Sequence, residues 1–284
     1  MYDLPRRLRR ASLSVAMTLI LALQVAPVVV AEPQAGTSAG TPPDGPAAAW
    51  LVADMVTGQI LGGKDPYGSY APASTIKALL AMVVLDQIDP NAAIRATATS
   101  TDVECSCVGL IPGQVYTARQ LLDGLLMVSG NDAANLLAEM LGGYQIAVSK
   151  MNAKAFALGA RSTRAGSPSG LDGPGWESVS TPHDLALLYR AALNYPLFTQ
   201  IIHQRSALFP DGDDVKELTS RDPLLRSYPG YIGGKTGYTI LAQETYVGMA
   251  QRDGHRLVVV QMYGEDDLWD QGRALFDWGF RQYG

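Results

Sequence analysis

The order of hydrophobic and polar positions along the chain predicts strands at both ends and helices between them. Short runs of strand-forming residues on either side of a turn at 56–58 predict a hairpin near the start. A polar turn at 252–254 separates two longer runs and predicts a second hairpin near the end. The predicted strands cover 50–54, 59–61, 244–251 and 256–263, and the predicted helices cover 75–87, 117–128, 132–142, 144–157, 181–194 and 268–281.

This order of elements indicates an α+β fold in which an antiparallel sheet carries a helical insertion. The helix predicted over 75–87 is apolar along most of its length, which is typical of a buried helix. The stretch from 48 to 284 has no internal repeat and no second linker, and it is long enough for one sizeable hydrophobic core. We therefore predict one folded domain over 48–284.

The start of the chain has the pattern of a targeting segment. Four arginines precede an uncharged, mostly apolar stretch at 11–31 that ends in small residues at 29–31. These are the three parts of a secretory signal peptide, which we predict over 1–31. A stretch of this length can also span a bilayer, so an uncleaved N-terminal anchor is the alternative. Residues 32–47 are rich in Pro, Gly, Ala and Thr and predict a flexible linker.

Charge and composition exclude several classes of partner. The chain has 22 Lys and Arg against 27 Asp and Glu, a formal net charge of −5, so we expect no nucleic-acid partner. The two cysteines and three histidines show no metal-ligand spacing, and we expect no metal and no cofactor.

A serine and a lysine three residues apart open the predicted buried helix. Ser74 and Lys77 would therefore lie on one helix face. A serine hydroxyl is a poor nucleophile until a base takes its proton, and a lysine amine can do so when burial and nearby positive charge lower its pKa. The pair is a candidate nucleophile and base, and an ordinary helix N-cap is the alternative.

Two further short motifs could relay a proton or bind the substrate in such a reaction. Ser129-Gly130-Asn131 lies between two predicted helices, where a serine can relay a proton and an asparagine can hold an amide or the lysine amine. Simple turn formation is its alternative. Lys235-Thr236-Gly237 precedes the late strands and suits a carboxylate, with glycine permitting close approach of a substrate backbone. A phosphate-binding loop is excluded because Pro229 stands where that motif needs glycine, and because Tyr238-Thr239-Ile240 indicate a strand where it needs a helix.

Taken together and in this order, the three motifs resemble the signature of penicillin-binding proteins and class A β-lactamases. The sequences around them resemble the low-molecular-mass D-alanyl-D-alanine carboxypeptidases, and the resemblance covers nearly all of 48–284. It implies the β-lactamase/transpeptidase-like form of the α+β fold, with an antiparallel sheet flanked by helices and a helical subdomain. The segments that carry the resemblance are 71–77, 121–133, 233–239 and 275–280.

The resemblance implies a serine carboxypeptidase that trims the terminal D-alanine from peptidoglycan stem peptides through an acyl-enzyme. Ser74 would attack the carbonyl group between the two D-alanines, with Lys77 as the base. Ser129 would pass the proton to the leaving nitrogen, and Asn131 would position Lys77 and the substrate amide. Such an enzyme would act in the cell wall or periplasmic space, or after secretion, and an uncleaved N-terminal segment would tether it.

The same resemblance assigns substrate contacts to the third motif and its neighbours. Lys235 and Thr236 would hold the terminal carboxylate beside Gly237, and the N–H groups of Ser74 and Tyr238 would form the oxyanion hole. β-Lactam antibiotics would acylate the same serine. Leu171 or Trp176 would contact a D-alanine methyl group, with a plain core role as the alternative for each.

The chain departs from many relatives in two respects. They carry a β-rich second domain and a C-terminal amphipathic helix, which this sequence lacks, so we expect no C-terminal membrane anchor. Some relatives also place an arginine after the last strand to help hold the carboxylate. This chain has Glu265-Asp266-Asp267 there, which leaves Arg221 as the alternative helper.

Three other functions remain open at this stage. A class A-like β-lactamase needs a Glu-x-x-Leu-Asn element, but Glu177 is followed by Ser178-Val179-Ser180, so we expect slow deacylation of β-lactams. An inactive binding or sensor module is disfavoured by the three intact motifs. A DD-endopeptidase that cleaves cross-links is compatible with the same residues.

Cys105 and Cys107 flank Ser106, and an exported protein meets an oxidising compartment, so we predict that they pair. Cα atoms two residues apart in a strand lie about 6.5–7 Å from each other, so pairing requires a bend at Ser106. The closed loop is short, and its entropic contribution to stability is about 1.6 kcal/mol before strain. Two reduced, buried thiols are the alternative.

Overall fold

The computed structural model describes residues 40–266 and 268–284. The predicted signal segment 1–31 and the first part of the predicted linker lie outside the described residues. Within the remainder of that linker, Gly40 accepts a hydrogen bond from Trp278 Nε1 at 2.9 Å, and Asp44 pairs with Lys64 at 3.4 Å. Among the residues described, we find no helix long and apolar enough to cross a bilayer.

The described chain contains nine strands and nine α-helices. The strands are β1 (Ala47–Asp54), β2 (Ile60–Lys64), β3 (Ala93–Arg95), β4 (Val115–Thr117), β5 (Ser206–Asp211), β6 (Asp214–Thr219), β7 (Tyr231–Thr239), β8 (Gln243–Arg252) and β9 (His255–Gly264). The helices are α1 (Lys77–Gln87), α2 (Ala98–Thr101), α3 (Ala118–Met127), α4 (Asn131–Met140), α5 (Tyr144–Ala157), α6 (Pro182–Ala192), α7 (Pro196–His203), α8 (Leu224–Ser227) and α9 (Trp269–Phe280). Two 3-10 turns, Ala73–Ile76 and Arg281–Tyr283, complete the list.

Five strands form one antiparallel sheet in the order β2-β1-β9-β8-β7. The central strand β9 is an apolar run because both of its faces are covered. Val258 and Val260 join the hydrophobic cluster that contains α1 and α6, whereas Val259 joins the cluster that contains α9. Alternate side chains of a strand point to opposite faces, so one run of valines supplies both cores.

The helical part of the molecule surrounds α1, which is buried from Lys77 to Val84. Because α1 is buried on all sides over this stretch, it has no polar face. Local capping sets the start of its neighbours. Thr117 and Gln120 form a capping box at α3, and Thr181 caps α6 with a proline at the first helical position.

The predicted α+β fold is confirmed, and both predicted hairpins and all six predicted helices are present within a few residues. The two-stranded sheets β3–β4 and β5–β6 and the helices α2, α7 and α8 were not predicted, because most of these elements are too short to show a period. The strand β7 begins at Tyr231, well before the strand-like residues 238–240 by which the sequence indicates it. The first part of β7 contains glycines, which are uncommon in strands, so the sequence does not indicate a strand there. The fold requires glycine at 234, because a Cβ at Gly234 would lie 2.4 Å from the carbonyl oxygen of Val247.

Candidate active site

The candidate nucleophile lies on a rigid turn. Ser74 is the second residue of the 3-10 turn Ala73–Ile76, which immediately precedes α1. Thr75 and Thr245 both donate side-chain hydrogen bonds to the carbonyl oxygen of Pro72, at 2.6 and 3.0 Å. Ala73 has a φ of +47°, a conformation that L-residues adopt at a cost when surrounding structure requires it. These contacts therefore fix the conformation of the turn, which holds Ser74 in one position.

Lys77 lies buried directly beneath the serine. Its Nζ donates to Ser74 Oγ at 2.6 Å, to Asn131 Oδ1 at 2.7 Å and to the carbonyl oxygen of Ser169 at 2.7 Å. Burial lowers the pKa of Lys77 well below its usual range, and the positive charges of Lys235 and Arg221 lower it further. A neutral amine 2.6 Å from a serine hydroxyl can accept that hydroxyl's proton.

The second motif occupies the sharp turn between α3 and α4. Ser129 has a φ of +65°, and the N–H of Gly130 donates to the carbonyl oxygen of Gly124 at 2.9 Å. This turn directs Ser129 Oγ toward Lys235, whose Nζ donates to it at 2.9 Å. Asn131 follows as the first residue of α4 and contacts Lys77. The motif thus links the two buried lysines of the site.

The third motif lies on β7, the edge strand of the sheet, which packs beside the 3-10 turn. Lys235 is buried, and its Nζ also donates to the carbonyl oxygen of Thr236 at 2.6 Å. Burial and the charge of Arg221 lower the pKa of Lys235 to about 7, while Asp222 opposes the shift. A Cβ at Gly237 would lie 2.7 Å from the backbone nitrogen of Ser74, so only glycine permits this approach. Tyr238 is 58% exposed at the rim.

These elements enclose a cleft of about 280 Å³. Six of the eight sequence-predicted site residues line it, and Lys77 and Lys235 lie buried beneath its floor. Leu171 and Arg221 also line the cleft, whereas Trp176 and Glu177 do not. The residues that line the cleft are Ser74, Glu104, Cys105, Ser106, Ser129, Asn131, Leu171, Arg221, Thr236, Gly237, Tyr238 and Glu244.

Several groups at the site escaped sequence reasoning. The carbonyl oxygen of Ser169 accepts from Lys77, and that of Glu104 accepts from Asn131 Nδ2 at 2.7 Å. Backbone carbonyls leave no mark on residue type, so no motif could have identified them. Gly170 was the one sequence signal that this loop lies close to the 3-10 turn. A Cβ at Gly170 would lie 2.0 Å from the carbonyl oxygen of Ala73, so the approach requires glycine.

The predicted disulfide between Cys105 and Cys107 is present. The two Cα atoms lie 4.8 Å apart, closer than an extended strand allows, which is the expected bend at Ser106. The hydroxyl of Ser106 accepts a hydrogen bond from Arg221 Nη1 at 2.6 Å. The disulfide therefore lies at the rim of the cleft, next to an arginine that faces it.

Comparison with known proteins agrees with this geometry. A family model described as D-alanyl-D-alanine carboxypeptidase matches residues 36–266. The chain belongs to the D-alanyl-D-alanine carboxypeptidase family. Over 243 residues it is 56% identical to the D-alanyl-D-alanine carboxypeptidase DacB2 of Mycobacterium tuberculosis, an alignment that covers 84% of each chain.

Solved structures of carboxypeptidase relatives share the fold. The crystal structure of a D-alanyl-D-alanine carboxypeptidase from Mycobacterium tuberculosis H37Rv has a TM-score of 0.84 and 54% identity, covering 86% of this chain and 95% of that one. The Streptomyces K15 DD-transpeptidase has a TM-score of 0.80 and 27% identity, covering 85% and 99%. The resemblance inferred from the three motifs is confirmed.

Membership in the carboxypeptidase family establishes the reaction class. The protein is a serine-type hydrolase that removes the terminal D-alanine from peptides ending in D-Ala-D-Ala. Because such peptides belong to peptidoglycan, the carboxypeptidase acts outside the cytoplasm.

Proposed function

We propose that Ser74 is the nucleophile and Lys77 the general base of this carboxypeptidase. The observation that carries the proposal is the 2.6 Å contact between Lys77 Nζ and Ser74 Oγ in a buried environment that lowers the lysine pKa. Ser74 Oγ attacks the carbonyl carbon between the two D-alanines, and Lys77 takes the hydroxyl proton. The N–H groups of Ser74 and Tyr238 stabilise the oxyanion.

The leaving D-alanine needs a proton on its nitrogen, and Ser129 is placed to pass one. Its hydroxyl lies 2.9 Å from Lys235 Nζ, and Asn131 connects the same turn to Lys77. Loss of D-alanine leaves an ester between Ser74 and the shortened peptide. Water then hydrolyses this acyl-enzyme by the same proton path in reverse.

The substrate terminus is held along β7. An edge strand offers backbone groups on one side to an added strand, so an extended stem peptide can pair beside Gly237. Protonated Lys235 attracts the terminal carboxylate, with Thr236 as a hydroxyl donor and Arg221 as a second positive charge in the cleft. Leu171 lines the same cleft and supplies an apolar contact for a D-alanine methyl group.

Penicillins are proposed to acylate Ser74 and to remain attached. Rapid release in the manner of a class A β-lactamase requires a water-activating carboxylate on the loop that carries Glu177. That side chain accepts a hydrogen bond from the backbone N–H of Gly175 at 3.0 Å and does not line the cleft. We further propose that 1–31 directs export, that 32–47 joins it to the catalytic domain 48–284, and that the protein acts in the cell wall.

The test is to incubate the exported protein and its Ser74→Ala variant with a peptide ending in D-Ala-D-Ala and with a fluorescent penicillin. We expect D-alanine release and stable labelling by the unmodified protein and neither by the variant, with the melting temperature unchanged. The exposed Ser162→Ala variant is the matched control and should behave as the unmodified protein. Labelling that survives Ser74→Ala contradicts the assignment, and a cross-linked dimer peptide in the same assay measures the endopeptidase alternative.

A further inference from the structure

The segment Glu104 to Leu110, hereafter the clasp, wraps around the start of α4. The backbone N–H of Asn131 donates to the carbonyl oxygen of Ser106 at 2.6 Å, and Asn131 Nδ2 donates to that of Glu104 at 2.7 Å. The carboxylate of Asp132 accepts three backbone N–H bonds, from residues 108–110, at 2.8–2.9 Å. Five hydrogen bonds thus join the clasp to the first two residues of α4.

The disulfide lies between the two carbonyl groups that Asn131 uses. The accepting carbonyl groups belong to Glu104 and Ser106, and Cys105 and Cys107 close a ring that contains Ser106. Closing the ring holds the two Cα atoms at 4.8 Å, whereas a relaxed strand would separate them to about 6.5–7 Å. The bridge therefore restrains the Ser106 carbonyl, which lies within the ring, and it holds Cys105, whose nitrogen carries the peptide group of the Glu104 carbonyl.

The direction of the Glu104 carbonyl decides the orientation of the Asn131 amide. An asparagine side chain has an acceptor and a donor end, and they exchange places when it rotates. While Nδ2 is bonded to Glu104, Oδ1 must face Lys77 Nζ, as observed at 2.7 Å. If the Glu104 carbonyl turns away, nothing prevents the amide from presenting its NH₂ group to the amine of Lys77.

The same ring holds a positive charge at the rim of the cleft. Ser106, in the middle of the ring, accepts from Arg221 Nη1 at 2.6 Å. Its hydroxyl is also 3.4 Å from the carbonyl oxygen of Val128, which orients it. Arg221 is otherwise an exposed side chain with many available conformations, so the hydroxyl of Ser106 limits where its guanidinium lies.

We propose that the Cys105–Cys107 disulfide is a positioning element of the active site, which holds Asn131 against Lys77 and Arg221 over the cleft. The proposal rests on the functions proposed above for Ser74 and Lys77. Opening the bridge should slow acylation and weaken recognition of the substrate carboxylate. The fold should survive, because the ring contains a single intervening residue and the hydrogen bonds of Asp132 to the end of the clasp do not depend on it.

The experiment compares oxidised, reduced and re-oxidised protein. Dithiothreitol opens the bridge by supplying two electrons and two protons, giving two thiols and its own cyclic disulfide, and Cys105 is exposed to it. After removal of the reagent without air, we measure the rate of labelling by a fluorescent penicillin, kcat and KM for a D-Ala-D-Ala peptide, and the melting temperature. We expect labelling to slow by up to about ten-fold, the upper range for one lost hydrogen bond between neutral groups, and to recover on re-oxidation.

Two variants separate the contributions. The Cys105→Ser/Cys107→Ser double variant should match the reduced protein and be insensitive to dithiothreitol. Ser106→Ala, which keeps the bridge, should raise KM for a peptide with a free terminal carboxylate more than it raises KM for the amidated peptide, because it releases Arg221 without opening the ring. Ser162→Ala is the control.

The outcomes distinguish this proposal from the proposed function. If the oxidised protein is not labelled at all, the assignment of Ser74 and Lys77 is wrong. If it is labelled and the reduced protein reacts at the same rate, the positioning role of the disulfide is wrong. A reduced protein that has lost its thermal transition also overturns the proposal, because the bridge would then be required for folding.

Discussion

At the scale of single residues, the site depends on two buried lysines with different neighbours. Lys77 contacts Ser74, and Lys235 contacts Ser129. Burial is the main cause of the lowered pKa of each, and Arg221 lowers both further. The cleft can therefore hold a neutral amine beside the nucleophile while a second lysine remains partly protonated for the carboxylate near neutral pH.

These two pKa shifts predict opposite effects of pH on kcat/KM. The value of kcat/KM should rise from acid pH as Lys77 loses its proton, and for a free-carboxylate peptide it should fall as Lys235 loses its proton at about pH 7. A peptide with an amidated terminus should lack most of the alkaline fall. The measurement is kcat/KM for both peptides from pH 5 to 9, and a free-acid profile that stays parallel to the amidated one up to pH 9 would refute the role of Lys235.

Removal of each lysine should have a different effect. Lys77→Ala should reduce penicillin labelling by about 10²–10⁴-fold, because the serine loses its base. Lys235→Ala should raise KM about 10–100-fold for a free-carboxylate peptide, the value of a charge-assisted hydrogen bond, and change the amidated peptide far less. The control is Lys216→Ala, which removes a half-buried lysine that pairs with Asp211 and does not line the cleft. Equal losses on both peptides for Lys235→Ala would contradict its role as an anion anchor.

At the scale of elements, the site depends on how closely β7 approaches the 3-10 turn. Gly237 is the point of contact, since a Cβ there would lie 2.7 Å from Ser74 N, 2.6 Å from Thr245 Oγ1 and 3.0 Å from Ala73 Cβ. Two of these neighbours belong to the turn that carries the nucleophile. The separation of the two elements therefore sets the position of the oxyanion site relative to Ser74.

Gly237→Ala should push the two elements apart and slow acylation by about 10²-fold, the usual effect of misplacing reacting groups by about 1 Å. The global fold should be retained because β7 keeps its pairing with β8. Gly272→Ala, whose added Cβ would meet only side chains and at 3.0 Å or more, is the control. The measurements are the fluorescent penicillin labelling rate and the melting temperature, and normal labelling by Gly237→Ala would show that the approach is not required.

At the scale of the whole molecule, a buried polar network lies behind the substrate strand. Asp222 accepts from Tyr231 Oη at 2.5 Å and from the backbone N–H of Leu224 at 3.0 Å, and Tyr231 contacts Tyr246 through their hydroxyl groups. Burial raises the pKa of Asp222 to about 6, although its hydrogen bonds and Lys235 oppose the shift. Because the folded-state pKa lies above that of the unfolded chain, the folded protein binds more protons between about pH 4 and 6.

The sign of this shift predicts how stability changes with pH. The contribution of Asp222 is fully present below about pH 4 and is lost as pH rises through about 6. Asp222→Asn mimics the protonated acid, because its amide can donate to the Tyr231 hydroxyl. The variant should therefore gain stability relative to the unmodified protein between pH 4 and 7, by up to about 3 kcal/mol. Denaturant unfolding across this range measures the difference, exposed Asp214→Asn is the control, and a difference that does not grow with pH contradicts the prediction.

Reactive side chains at a characteristic spacing could be predicted from the sequence. Groups that reach the site only through the folding of the chain could not. Ser74 and Lys77 were candidates because their spacing puts a possible nucleophile and base on one helix face, and their side chains do lie 2.6 Å apart. The carbonyl oxygen of Ser169 was not, because every residue has a carbonyl group. Leu171 and Trp176 were equal candidates, and only the path of their loop brings Leu171 to the cleft.

The sequence by itself determined the elements with a strong period, the three motifs, the family and the residue types of the site, because side-chain pattern and spacing are local properties. It also predicted the disulfide, since two cysteines around one residue have few other partners. Tertiary structure decided what depends on distance and burial. It set the lowered pKa values of Lys77 and Lys235, the extent of β7, the place of Arg221 in the cleft and the contacts of the clasp with Asn131. These properties arise where segments that are far apart in the chain pack together and exclude water. They therefore cannot be predicted from any one segment.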